Sequence, residues 1–191
     1  MALLSVNVNK VATLRNSRGG GVPDMLRAVD VILGAGVRGI TVHPREDERH
    51  ITRQDVLDVH AHLRRVDPSV EYNIEGDPRP DLMDLVVELR PTQCTLVPVR
   101  PGEITSEAGW DPQQGAALPP VIERLKGVGI RVSVFVEPQE EAIAWAAETG
   151  APTRSLGLSA RFSSGKRASI ARLRLRSSSY SASETRGCSA R

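Results

Sequence analysis

Two rhythms of apolar residues alternate over residues 1–150. Short runs rich in Val, Ile and Leu predict strands at Leu4–Val8, Gly39–His43, Glu71–Glu75, Cys94–Val99 and Arg131–Glu137. Between them the spacing lengthens to three and four. Pro23-Asp24 opens one helix, with Met25, Leu26, Val29, Ile32 and Leu33 on one face and Gly34 and Gly36 as its exit. Thr52, with Asp55 three residues on, reads as an N-cap before Val56, Val59, Leu63 and Val66. Pro80-Asp81 starts a third helix through Leu82, Leu85, Val86 and Leu89, stopped by Pro91. Two more are expected at Pro119–Lys126 and Gln139–Glu148. Five βα units in series call for a parallel sheet with right-handed crossovers.

An open dinucleotide-type sheet would want a glycine fingerprint in its first βα turn. Gly19-Gly20-Gly21 precedes Pro23 without that spacing. Polar side chains instead recur where strands end: Asn7 and Asn9, His43 and Arg45, Asn73 and Glu75, Arg100, and Glu137. Strand period two puts each of the first three pairs on one face, and barrels collect functional groups at the carboxyl ends of several strands. The expected fold is therefore α/β of the (β/α)8 TIM-barrel type, truncated after about five βα units.

Composition changes the picture beyond residue 150. Residues 151–191 carry eight Arg, Lys166 and one acid, Glu184, for a net +8, and eleven serines. The other 150 residues hold 16 basic and 22 acidic groups, a net of −6. The expected organisation is a barrel segment over 1–150 and a low-complexity, disordered basic tail over 151–191, foreign to the fold. Leu156, Leu158, Leu173 and Leu175 are the tail's candidates for fragments of structure. Such an arm could bind nucleic acid or a protein partner, but Phe162 and Tyr180 are its only aromatics and no recognition module is visible, so nucleic-acid binding is not expected. Cys94 and Cys188 have no partners at metal-ligand spacing. The first residues lack the basic and apolar regions of a secretory signal, and no run is long enough to span a membrane. A cytoplasmic protein is expected.

The candidate chemistry lies at the strand ends. The first is followed by a loop in which Arg15 and Arg18, near glycines, suit a phosphate or merely form a solvated basic surface. His43 and Arg45 share a face, with His50 just before the helix cap. They suit proton transfer beside an anion, or a structural histidine; a metal site with the intervening acids has no recognised ligand spacing. Glu75, in a barrel mouth, would be a desolvated general base or one half of a salt bridge. Thr105, beyond the fourth strand, offers a hydroxyl to a sugar or phosphate oxygen, or caps a turn. His60 and His62 read as surface residues, and Cys94 as a buried strand residue.

Four segments together are specific. Val6-Asn7-Val8-Asn9-Lys10 with the downstream Ala-Thr-Leu-Arg-Asn-Ser-Arg18-Gly, Gly39-Ile-Thr-Val-His43-Pro-Arg45 with Arg49-His50-Ile-Thr, Asn73-Ile-Glu75-Gly, and Leu96-Val-Pro98 with Ile104-Thr105 resemble the pyridoxine 5′-phosphate synthase family over residues 3–150. The resemblance implies a (β/α)8 barrel that condenses 3-amino-2-oxopropyl phosphate with 1-deoxy-D-xylulose 5-phosphate in vitamin B6 biosynthesis, without a bound cofactor and as a homo-oligomer. By the same resemblance, His43 and Glu75 are the acid–base groups. Asn7 and Arg18 hold the aminoketone phosphate, and Arg45, His50 and Thr105 hold the deoxyxylulose phosphate. Another phosphosugar-binding barrel is the alternative reading.

Two departures qualify that expectation. Asn9-Lys10 stands where many members of the family carry Asp-His. The family's later catalytic histidine and its Gly-His phosphate loop have no counterpart, since the last histidine is His62. Residues beyond 150 resemble a shifted reading frame, which the coding DNA tests, and the chain is expected to be inactive. A five-strand arc should also leave its first and fifth strands as open edges and wet about eight apolar interior side chains at ~1.5–3 kcal/mol each, so instability is expected.

Overall fold

The computed structural model describes residues 4–99, 109–136, 139–149, 156–158 and 171–173. Strands β1 (Ser5–Asn7), β2 (Gly39–Val42), β3 (Glu71–Gly76), β4 (Gln93–Leu96) and β5 (Arg131–Val136) pair side by side in sequence order, all parallel. Helices α1 (Asn9–Ser17), α2 (Met25–Gly34), α3 (Arg53–Val66), α4 (Pro80–Leu89), α5 (Leu118–Gly127) and α6 (Glu140–Glu148) fill the connections. This is the arrangement expected of the first five units of a (β/α)8-type fold.

Local signals set most boundaries. Thr52 and Asp55 form a reciprocal capping box at α3, the Thr52 hydroxyl accepting from the Asp55 N–H and the Asp55 carboxylate from the Thr52 N–H. Asp24 caps α2 by accepting from the Arg27 N–H at 2.7 Å. Helix α1 is the element that periodicity missed. Residues 9–17 read as a loop because they are mostly polar, and Ala12 is the one buried residue of the helix. Tertiary bonds to the β2–α3 loop, described below, supply what its apolar face lacks.

Period two sorts the strand residues into two opposite environments. Ile40 and Val42, Tyr72 and Ile74, Cys94 and Leu96, and Val132, Val134 and Val136 alternate to one side and join Val56, Val59, Leu82, Val86, Ile122 and Leu125 of the helices in one buried apolar cluster. The residues between them are polar, apart from Phe135 of β5. Ser5 Oγ and Thr41 Oγ1 lie 2.8 Å apart, Asn73 Nδ2 donates to Thr41 Oγ1 at 3.3 Å, and Thr95 Oγ1 donates to Asn73 Oδ1 at 2.9 Å. Thr95 and Ser133 hydroxyls meet at 2.8 Å, and Gln93 Nε2 donates to both. Arg131 donates to Gln93 Oε1 at 2.8 Å and pairs with Glu71. A continuous hydrogen-bonded ladder thus crosses all five strands.

Several expectations change here. The fifth strand is not an open edge: β6 (Leu156–Leu158) pairs parallel to β5, and β7 (Ala171–Leu173) pairs antiparallel to β6. Both fall on the tail's candidates for fragments of structure, Leu156 and Leu158 in one and Leu173 in the other. The inner face is not an apolar lining left wet either, because its side chains, Phe135 apart, are polar and bond to one another. The anticipated loss from wetted interior Leu, Ile and Val therefore does not apply to this face. His62 is buried rather than on the surface, its Nε2 lying 2.6 Å from Asp30 Oδ1 of α2, and His60 stacks on Tyr72 at 6.0 Å. Among the described residues no helix is long and apolar enough to cross a membrane.

Gly115 sits against the Trp145 indole, where a Cβ would come within 1.9 Å of the ring. Gly115→Ala should therefore push α6 away from the turn before α5 and lower the unfolding free energy by about 1–3 kcal/mol, read from the urea midpoint. An unchanged midpoint would mean that the indole moves aside freely.

Candidate active site

The carboxyl edge of the sheet gathers Asn7 at the end of β1, His43 just past β2 and Glu75 near the end of β3. Asn7 is oriented from both ends. Its Oδ1 accepts the Asn9 N–H at 2.9 Å, which turns its amide nitrogen to Glu75, where it donates to Oε2 at 3.2 Å. The Glu75 carboxyl is surrounded closely enough that burial pushes its pKa up to about 7, against the downward pull of the Asn7 bond. At neutral pH such a group both takes and gives a proton. Cys94 lies behind it, buried and with its thiol pushed up to about 12 by burial and by Glu75, so it is unreactive.

His43 follows the opposite logic. It is 8% exposed, and burial first, then the positive neighbours His50, Arg45 and Arg79, pull its imidazole down to about 4, with Asp47 opposing. The ring is neutral at physiological pH. Its Nε2 is buried and has no hydrogen-bond partner among the described residues, a state that native interiors rarely tolerate outside a ligand site. Arg45 is also buried, with Nε 3.6 Å from Asp47 Oδ1.

His50 stands 6.1 Å from His43, ring centre to ring centre. Its Nδ1 accepts the Ile51 N–H at 2.8 Å, so in the neutral ring Nε2 carries the proton and is the nitrogen left to donate. Burial and the adjacent Arg45 lower its pKa. The loop bearing it is clasped by α1. Arg15 forms a two-pronged pair with Asp55, at 2.5 and 2.9 Å, and donates to the His50 carbonyl at 3.4 Å. Asn16 donates to the Arg49 and His50 carbonyls at 3.2 and 2.9 Å. Burial alone would raise the Asp55 carboxyl; bonds from Arg15 and Thr52 hold it below its ordinary range.

Asn7, His43, Arg45, His50 and Glu75 thus share one mouth, as their positions at strand ends predict. Arg15 does not join them as a phosphate ligand, because Asp55 already occupies its guanidinium. Arg18 follows the last turn of α1, about 13 Å along the helix from Asn9, exposed and without a side-chain partner among the described residues. Thr105, Arg100 and Glu137 lie outside the described residues. The structure adds Arg79, which donates to the Pro44 carbonyl at 3.0 Å and pairs with Asp77 at 2.5 Å, bracing the β2 exit against the β3 exit. Nothing in its spacing signals that role. Among the described residues no three His, Cys, Asp or Glu side chains gather as they would around a metal ion.

Successive parallel βα units with a polar mouth at the carboxyl edge define a protein of the α/β-barrel class. The family model described as pyridoxal phosphate biosynthesis protein PdxJ matches residues 4–184, and the chain belongs to that family. It is similar to proteins named pyridoxine 5′-phosphate synthase: 51% identical over 148 residues to that of Leptospira biflexa, covering 72% of this chain and 57% of the relative. The protein of Bacteroides fragilis is 51% identical over 152 residues, 79% of this chain and 62% of the relative. That of Flavobacterium johnsoniae is 50% identical over 151 residues, 78% and 62%. The chain spans about three-fifths of the length of these relatives.

The clasp can be tested directly. Arg15→Ala leaves the Asp55 carboxylate, 9% exposed, without its cation. Stability should fall by about 3 kcal/mol, the low end for breaking a buried pair because Arg15 keeps some exposure. A loss under ~0.5 kcal/mol by urea unfolding would make the pair a surface ornament.

The two titrating groups predict opposite pH slopes. The His43 pKa is depressed from 6.5 to about 4, so the stability it contributes is present above pH 6.5 and lost as pH falls to about 4. The Glu75 pKa is raised from 4.5 to about 7, so its contribution is present below pH 4.5 and lost as pH rises through about 7. His43→Gln should flatten the acid limb of the stability–pH curve, and Glu75→Gln should lift the limb above pH 7. Parallel curves for parent and variants would contradict both assignments.

Proposed function

We propose that this chain carries the acid–base and phosphate-binding half of a pyridoxine 5′-phosphate synthase site. The supporting observation is the pairing of a carboxyl titrating near 7 with a neutral imidazole whose buried Nε2 has no partner among the described residues. The reaction joins the amine of 3-amino-2-oxopropyl phosphate to the carbonyl carbon of 1-deoxy-D-xylulose 5-phosphate and closes a pyridine ring, losing water and phosphate. Each stage moves protons to and from carbon, nitrogen and oxygen. Glu75, poised near neutrality, takes a proton and returns it. His43, with its ring neutral, accepts one or polarises a carbonyl.

The remaining residues fit the two anionic ends. Asn7 and Arg18 serve the aminoketone phosphate. Arg45, His50 through its free Nε2–H, and Thr105 serve the deoxyxylulose phosphate. The partners are then small phosphorylated molecules, and none of these residues calls for a bound cofactor. Residues 151–191 carry no histidine, so proton-transfer groups supplied by the second half of a full-length barrel have no counterpart there. On this reading the chain alone does not complete the reaction.

A chimera tests it. Residues 151–191 are replaced by the corresponding segment of the Leptospira biflexa relative, and pyridoxine 5′-phosphate formation is followed from the two substrates. The chimera should turn over, and Glu75→Gln or His43→Gln within it should lower kcat by about 10²–10⁴-fold. A folded chimera that forms no product, or variants that retain full kcat, would reject the assignment.

A further inference from the structure

Asn9 is the residue at which the chain leaves β1 and enters α1, and it is the first residue of that helix. Its backbone N–H donates to Asn7 Oδ1 at 2.9 Å, the bond that turns the Asn7 amide nitrogen toward Glu75. Its side-chain Oδ1 accepts the backbone N–H of His43, also at 2.9 Å. These bonds reach 34 residues along the chain, from β1 to the end of β2, and on to Glu75 of β3 through Asn7. The Asn9 amide nitrogen enters no hydrogen bond among the described residues, so only the oxygen of the side chain is used. Lys10, the next residue, is exposed.

We infer that Asn9 is a positioning residue that holds His43 and Glu75 in register across three strands, and that its side chain needs to supply only an oxygen acceptor. The inference rests on the acid–base reading of His43 and Glu75. His43 lies just past the last paired residue of β2, so no strand bond of the β1–β2 ladder reaches its N–H, since that pairing ends at Asn7 and Thr41. Without an acceptor the N–H would be a buried donor without a partner, and the backbone carrying the ring would shift to find one. A carboxylate at position 9 would accept the same N–H. It would also place a negative charge beside an imidazole that now faces His50, Arg45 and Asp47 from its own loop and Arg79 from the β3–α4 connection. An amide anchors the histidine without that charge.

The test uses the full chain and NMR, with no turnover required. In Asn9→Ala the His43 amide should exchange with solvent about five- to tenfold faster than in the parent, the loss of one hydrogen bond. The His43 ring should titrate closer to the ordinary imidazole range as water enters. Asn9→Asp should restore amide protection to within about twofold of the parent. The amides of Ile51 and Asp55, bonded to His50 Nδ1 and Thr52 Oγ1 within the segment that α1 clasps, should stay unchanged in both variants, which separates positioning from a general loosening of that segment. Lys10→Ala should leave the His43 amide as it is. Unchanged exchange in Asn9→Ala, equal exchange in the Ala and Asp variants, or acceleration in Lys10→Ala would each overturn the inference. If Glu75→Gln leaves the chimera fully active, the acid–base reading fails while these amide results still decide the bracket.

Discussion

The parallel register of β1 to β5 is the constraint on which everything else hangs. Because side chains alternate along every strand and neighbouring strands are in step, all residues of one parity face the helices and all of the other face the barrel axis. A one-residue slip in β3 would send Tyr72 and Ile74 to the axis and bury Glu71, Asn73 and Glu75 among Val56, Leu82 and Val86. Two penalties would arise together, lost apolar burial and three polar groups without partners, and they fix the register more firmly than either alone. The inner ladder from Ser5 to Arg131 adds direction to that choice. Hydrogen bonds between side chains on adjacent strands depend on that register, with Thr41 beside Asn73, Thr95 beside Ser133, and Thr95 reaching Asn73 from two residues along the strand.

That register also delivers the site. Following each inward-facing series to the carboxyl end of its strand gives Asn7, His43 and Glu75, so the same alternation that sets the ladder places the candidate chemistry at its top. Burial then acts on two groups of opposite charge type in opposite directions, raising a carboxyl and lowering an imidazole. Both are driven toward neutrality. A neutral imidazole and a carboxyl half protonated near pH 7 avoid part of the desolvation that two fully charged groups would cost in these positions.

Much of this was legible in the sequence, and the failures have physical causes. Strand positions, the Thr52–Asp55 box and the strand-end residues follow from local patterns that operate over a few positions. Helix α1 does not, because Asn9–Ser17 is held by Arg15–Asp55 and Asn16–His50 bonds across more than thirty residues. The same pair explains why Arg15 looked like a phosphate ligand: an arginine near glycines carries no mark of the carboxylate that will claim it. The polar inner ladder, by contrast, was present as a signal. Ser5-x-Asn7, Glu71-x-Asn73-x-Glu75, Gln93-x-Thr95 and Arg131-x-Ser133 alternate with Val6, Tyr72, Ile74, Cys94 and Val132. The expectation of apolar side chains in the barrel interior passed over that alternation.

The polar ladder has a consequence for how much of a barrel can stand without the rest. An apolar interior opened to water would lose burial on every strand, whereas hydroxyl and amide groups bonded to one another lose little when water reaches them. The outward apolar cluster depends on helices α1 to α6, each of which lies within one or two units of the strand it covers in sequence. Local pairing of strand with helix therefore builds the core, and closure of the ring is a separate requirement. Closure matters instead for the mouth. The tips of β1, β2 and β3 bring a carboxyl, two imidazoles and cationic side chains together on one arc, and an arc can surround a ligand on only one side.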